Sequence, residues 1–118
     1  MLFDWSKYLN LARFLHTGNT TYNQEAAYRS AVSRAYYAAF CYARNFARDN
    51  EGFEPKYDQR DHQLLKLHFV VSRSQMALLL DQLRQWRNDC DYKDQQRGLH
   101  GLVPSAIDYA QEIIDELI

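Results

Sequence analysis

The stretch from Gln24 to Arg48 constrains this chain more than any other, because it reads as one long helix that is apolar on nearly every side. Counting 3.6 residues per turn, Tyr28, Ala31, Val32, Ala35, Tyr36, Ala39, Tyr42, Ala43 and Phe46 fall on one stripe. Its middle, AVSRAYYAAFCYA, is also apolar elsewhere through Tyr37, Phe40 and Cys41. A helix of this kind must be central, covered by two neighbours or by a second subunit, and its alanines let those neighbours approach closely. Asn23 is placed to cap its start.

The other segments fit around it as shorter helices. Asp4 is a suitable N-cap for a first helix carrying Trp5, Tyr8, Leu9, Ala12 and Leu15 at helical spacing, and TGNTTYN breaks that helix. The polar stretch DNEGFEPKYDQRDH reads as a long loop, and LLKLHFVV after it as a short helix. A clear helical period returns in SQMALLLDQLRQWRNDC, with Met76, Leu79, Leu80, Leu83 and Cys90 on one side. The last helix, after the polar KDQQRGLHG, carries Ala106, Ile107, Ala110, Ile113, Ile114 and Leu117. Pro104 is expected in its first turn, with Ser105 and Asp108 as a capping pair. The expectation is an all-α, up-and-down four-helix bundle with an additional short helix, forming a single domain over residues 1–118.

Bulk properties narrow the function classes. A formal net charge of -1 argues against a broad electrostatic footprint for nucleic acid. Ten of the fourteen basic residues are Arg, however, which suits local recognition of phosphate or carboxylate. No apolar run is long enough to span a bilayer, and no secretory leader pattern opens the chain. The two cysteines, Cys41 and Cys90, form neither a metal-ligand motif nor a disulfide framework. These features point to a cytoplasmic protein without membrane association or cofactor.

Among candidate sites, LRQWRNDCDY is the most informative. Each helical residue advances about 100°, so Leu80, Leu83, Arg87 and Cys90 share a face that is otherwise apolar. An unpaired guanidinium buried there would be costly. Arg87 is therefore either in a structural ion pair with Asp91, four residues on, or a phosphate contact at the mouth of an interhelical groove. Tyr37 leaves the main stripe and lies near Arg34, Cys41 and Arg44, a Tyr–Arg surface suited to a dimer interface or to base stacking. Tyr28, Tyr36 and Tyr42 read as core residues with their hydroxyls reaching the surface. His62 with Asp58 and Asp61 could hold a hard cation, but YDQRDH reads as a solvated loop, and no metal site is expected. The four glycines are scattered, and no phosphate-binding glycine loop exists.

AVSRAYYAAFCYAR, residues 31–44, resembles the second-helix signature of small prokaryotic HEPN proteins (higher-eukaryote and prokaryote nucleotide-binding). LRQWRNDCDY resembles the later motif of the subgroup in which an Arg is followed by a terminal Asp-Tyr. The resemblance implies a helical bundle that pairs as a homodimer, often beside a small nucleotidyltransferase partner in a toxin–antitoxin pair. It implies a polar cleft of Arg87, Asn88, Asp91 and Tyr92. Many members are metal-independent endoribonucleases whose motif is Arg, four to six residues, then His. Here Arg87 and Asn88 match the Arg and its polar follower, but Tyr92, Lys93 and Asp94 occupy the positions open to His. Tyr titrates near 10 and is a poor base beside His. The implied role is thus an RNA- or nucleotide-binding, or partner-binding, module. The alternative is a ribonuclease toxin in which Arg87, Asn88 and Tyr92 act with an atypical proton donor. His100, thirteen residues past Arg87, does not match the family spacing.

Overall fold

A computed structural model describes residues 2–18 and 23–118, so most of TGNTTYN lies outside the described residues. The fold is all-α. It comprises α1 (Ser6–Thr17), α2 (Gln24–Asn50), α3 (Asp61–Phe69), α4 (Ser74–Tyr92) and α5 (Leu99–Glu116), with no strand among the described residues. No described helix is long and apolar enough to cross a membrane.

α2 occupies the centre and touches all four other helices. The reason lies in its side chains. Ala31, Ala35, Ala38, Ala39, Ala43 and Ala47 are fully buried, and Tyr28, Val32, Tyr36, Phe40 and Cys41 are buried beside them. Leu9 and Ala12 of α1, Leu65 and Phe69 of α3, Met76, Leu80 and Leu83 of α4, and Val103, Ala106, Ala110 and Ile113 of α5 complete one continuous core.

Helix starts follow local chemistry. The Asn23 side chain accepts the Ala26 N–H at 3.0 Å, and Asp4 Oδ1 accepts from the Ser6 N–H and hydroxyl at 3.0 and 2.7 Å. The start of α5 differs from expectation. The helix begins at Leu99 after Gly98 in the left-handed region (φ 66°), so Pro104 lies inside it. Ser105 caps nothing; its hydroxyl donates back to the Gly101 carbonyl at 3.2 Å. Gly98 stops the preceding loop at a conformation that favours glycine, and this moves the helix start upstream of the proline.

The C-terminus of α4 is closed from outside its own sequence. Arg29 of α2 donates to the carbonyls of Cys90 (2.9 Å), Lys93 (2.6 Å) and Asp94 (3.2 Å), and Glu25 pairs with it at 3.3 Å. A cation at a helix C-terminus satisfies carbonyls that have no helical partner and complements the negative end of the helix dipole. Replacing Arg29 with Ala should destabilise the fold by about 2 kcal/mol, read as a lower midpoint in chemical denaturation. An unchanged midpoint would mean that α4 is held in place without this clasp.

Candidate functional site

The last two turns of α4 face the middle of α2, and the loop before α3 folds over the gap between them. The result is a cleft of about 700 Å³ lined by Tyr36, Tyr37, Phe40, Cys41 and Arg44 of α2, by Tyr57, Asp58, Gln59, Asp61 and His62, and by Arg84, Arg87, Asn88 and Tyr92 of α4.

Arg87 sits where its helical phase places it, with Leu80, Leu83 and Cys90 buried on the same side and its own side chain 19% exposed. Its Nε lies 2.9 Å from Asp91 Oδ2, close enough for an ion pair, but the N–H does not point along that line and makes no hydrogen bond. Nη1 donates to Asn88 Oδ1 at 2.8 Å. The guanidinium lies 5.2 Å from the centroid of Tyr37 and 5.5 Å from that of Tyr92, so two aromatic rings hold it. The ion pair with Asp91 and the position in a cleft coexist, although the sequence presents them as alternatives.

Of the other residues expected here, Asn88, Tyr92, Tyr37 and Arg44 line the cleft. Asp91 stands behind it, within 2.9 Å of Arg87 and accepting the Ser33 hydroxyl at 3.3 Å. Arg34 is not part of the lining; its guanidinium lies over Tyr8 (5.1 Å) and Tyr37 (5.7 Å). His100 lies beside Tyr28 (5.9 Å between centroids) and is likewise absent from the lining.

The YDQRDH segment departs most from its reading as solvated loop. Asp61 and His62 open α3 and are 1% and 5% exposed. Asp61 accepts the backbone N–H groups of Lys56 and Tyr57, both at 2.8 Å. Those bonds hold Tyr57 at φ 58°, a left-handed conformation unusual for a bulky residue, and set its ring 5.1 Å from the Arg44 guanidinium. Asp58 turns instead to Arg60, at 2.6 Å, and its carboxyl is drawn down to about 2 by those hydrogen bonds. Among the described residues no cluster of three or more His, Cys, Asp or Glu is arranged around a cation position.

His62 lies beneath the cleft. Its Nδ1 is 2.9 Å from the Tyr36 hydroxyl, so Tyr36 ends on an internal partner and its hydroxyl does not emerge at the surface as expected. Nε2 faces Asp81 Oδ1 at 3.5 Å, too long and poorly aligned for a hydrogen bond, and has no other partner among the described residues. With its hydrogen on Nε2, the ring accepts the Tyr36 hydroxyl at Nδ1. Burial, followed by the positive charge of Arg84, pushes the imidazole down to about 4, against the pull of Asp81. Burial also raises the Tyr36 phenol well above its usual range and lifts the thiols of Cys41 and Cys90 to about 11.

Sequence reasoning missed Arg29, Arg84 and His62 as parts of this region. His62 carried a signal, because a His one residue after an Asp at the start of an apolar helix lies on a potential core face. Arg84 shares Arg87's face one turn earlier.

The neutral imidazole makes acid stability a direct test. Unfolded His62 takes a proton near its ordinary value of 6.5, whereas the folded group resists until about pH 4. The stability that His62 contributes is therefore present above about pH 6.5 and is lost as pH drops toward about 4, by roughly 3 kcal/mol for this one group. Urea denaturation across that window should show a flatter dependence for His62→Gln. Parallel curves would assign the acid sensitivity to other groups.

Comparison with family models, curated proteins and solved structures finds no match, so the role of the cleft rests on its own chemistry.

Proposed function

We propose that this chain is a HEPN-like helical module that binds RNA or a nucleotide in the cleft between α2 and α4. The observation that carries the reading is the cleft's composition. Three arginines, Arg44, Arg84 and Arg87, open onto one depression beside Tyr37, Tyr57 and Tyr92. Guanidinium groups match phosphate oxygens with paired donors, and aromatic rings hold them in place. The only carboxylates in the lining, Asp58 and Asp61, are already engaged by Arg60 and by backbone N–H groups.

The resemblance of residues 31–44 and 83–92 to the HEPN motifs supports the same role, with an up-and-down bundle, a homodimer and a nucleotidyltransferase partner as its further expectations. It also favours binding over cleavage. Tyr92, where a family ribonuclease has its earliest His position, is 74% exposed and lies over Arg87 as a ring.

Single-stranded RNA with a chelator present provides the test. Binding should weaken about tenfold in Arg87→Ala, and the dependence of log affinity on log salt should flatten by about 0.7 for each phosphate that the variant leaves unneutralised. Cleavage by the unaltered chain that disappears in Arg87→Ala would replace the binding reading with a nuclease. Light scattering addresses the dimer separately: a monomer at tens of micromolar, about the range in which specific interfaces persist, would remove it.

A further inference from the structure

We infer that Arg84, more than Arg87, is the anion anchor of the cleft, and that it takes a phosphate group whose attached base is not read. This inference rests on the phosphate-binding reading of the same cleft and assigns its central contact.

The three guanidinium groups are not equivalent. Arg44 donates from Nε to Asn45 Oδ1 at 3.0 Å and lies over the rings of Trp5 and Tyr57. Arg87 is held by Asn88, Asp91, Tyr37 and Tyr92. Arg84 is partly buried and has neither a carboxylate within ion-pair distance nor a side-chain hydrogen bond among the described residues. A guanidinium cannot shed its charge by losing a proton, so Arg84 keeps its positive charge at the opening of the cleft, and its nitrogens, none of them sealed from water, are open to an anion.

No local carboxylate is free to fill that role. Asp81, one turn earlier on α4, binds Lys66 at 3.2 Å and faces His62. Asp58 and Asp61 are committed elsewhere, and moving either would undo the loop that shapes the cleft. Arg84 also borders a second depression with Asp81, Gln85, Asn88 and Asp89, so it stands where two openings meet.

Phosphate is the anion that the surroundings fit. Arg84, Arg87 and Asn88 follow at i, i+3 and i+4 on one helix face, which presents forked donors to a tetrahedral group with several oxygens. The rings that could stack a base carry the protein's own cations: Tyr37 and Tyr92 hold Arg87, and Tyr57 holds Arg44. Grip on the ligand therefore falls to its phosphate.

Arg84 has a spectroscopic reporter. The groups facing His62 are Tyr36 and Phe40 from α2, Lys66 from α3, and Asp81 and Arg84 from α4. Of the charged groups among them, Arg84 opposes imidazole protonation most. An anion on Arg84 offsets that charge, so occupancy favours the protonated ring.

The test uses the full chain with labelled oligouridylate and oligoadenylate, with inorganic pyrophosphate as competitor, and follows the His62 ring by NMR. The two oligonucleotides should bind within about threefold of each other, pyrophosphate should displace both, and Arg84→Gln should weaken both by more than the roughly tenfold expected of Arg87→Ala. Pyrophosphate should also move the His62 titration to higher pH in the unaltered chain, a reading that needs no variant to fold. Displacement by pyrophosphate identifies phosphate itself as sufficient. Oligonucleotide binding that pyrophosphate leaves untouched overturns the inference. Equal affinity in a folded Arg84→Gln, strong base preference, or a His62 titration that ignores pyrophosphate would also overturn it, while leaving RNA binding standing. No binding of any probe to the unaltered chain would overturn both readings.

Discussion

The alanines of α2 set the distances on which the rest of the molecule depends. A helix whose inward positions are Ala31, Ala35, Ala38, Ala39, Ala43 and Ala47 lets other helices approach its backbone closely. Larger residues enter from the partners: Leu80 and Leu83 from α4, Ile113 and Val103 from α5, Phe69 from α3. This division of labour leaves little slack around α2, because adding volume at such positions displaces a whole neighbouring helix. It also explains why the polar groups of α4 are presented to α2 at short range, where they meet tyrosine rings before they meet water.

The cleft follows from what this close packing cannot accommodate. α2 widens at Tyr36, Tyr37 and Phe40, and the gap beside them is closed by a loop braced through Asp61 and by the His62–Tyr36 bond. The same small volume holds a neutral imidazole, a phenol kept protonated by burial, and a guanidinium with no ion-pair or hydrogen-bond partner among the described residues. Burial keeps the phenol and the imidazole uncharged, and the Arg84 charge adds to this for the imidazole, so neutral groups lie beneath and cations at the rim. An anion in the cleft meets the lining carboxylates Asp58 and Asp61 already engaged by Arg60 and by backbone N–H groups.

Much of this organisation is written in local sequence. Helical periodicity, the cap at Asn23, the Asp4 bond to the Ser6 N–H beside the start of α1, and the buried stripes of the helices are consequences of spacing along a single element, and the structure shows them. Arg87 is readable in the same way, since its phase against Leu80, Leu83 and Cys90 needs only the turn of one helix. The start of α5 is less accessible, because the left-handed Gly98 outweighs a proline signal that lies inside the helix. Arg29 and His62 cannot be placed from periodicity alone. Their roles come from partners 61 and 26 residues away in sequence, and nothing within their own segments names those partners. The exclusive choice between an ion pair and a cleft for Arg87 belongs to α4 taken alone. With α2 alongside, one group serves both.

Cys41 and Cys90 bring a further consequence. Both thiols are buried on the two helices that bound the cleft, and both are held to about 11, far from the thiolate form at neutral pH. Disulfide exchange proceeds through the thiolate, so these sulfurs are chemically silent while the helices stay together. Silence of that kind makes them clocks. The rate at which a thiol reagent consumes Cys90 measures how often α2 and α4 part around it, while Cys41, on the cleft lining, reports access through the cleft, and neither needs an added label.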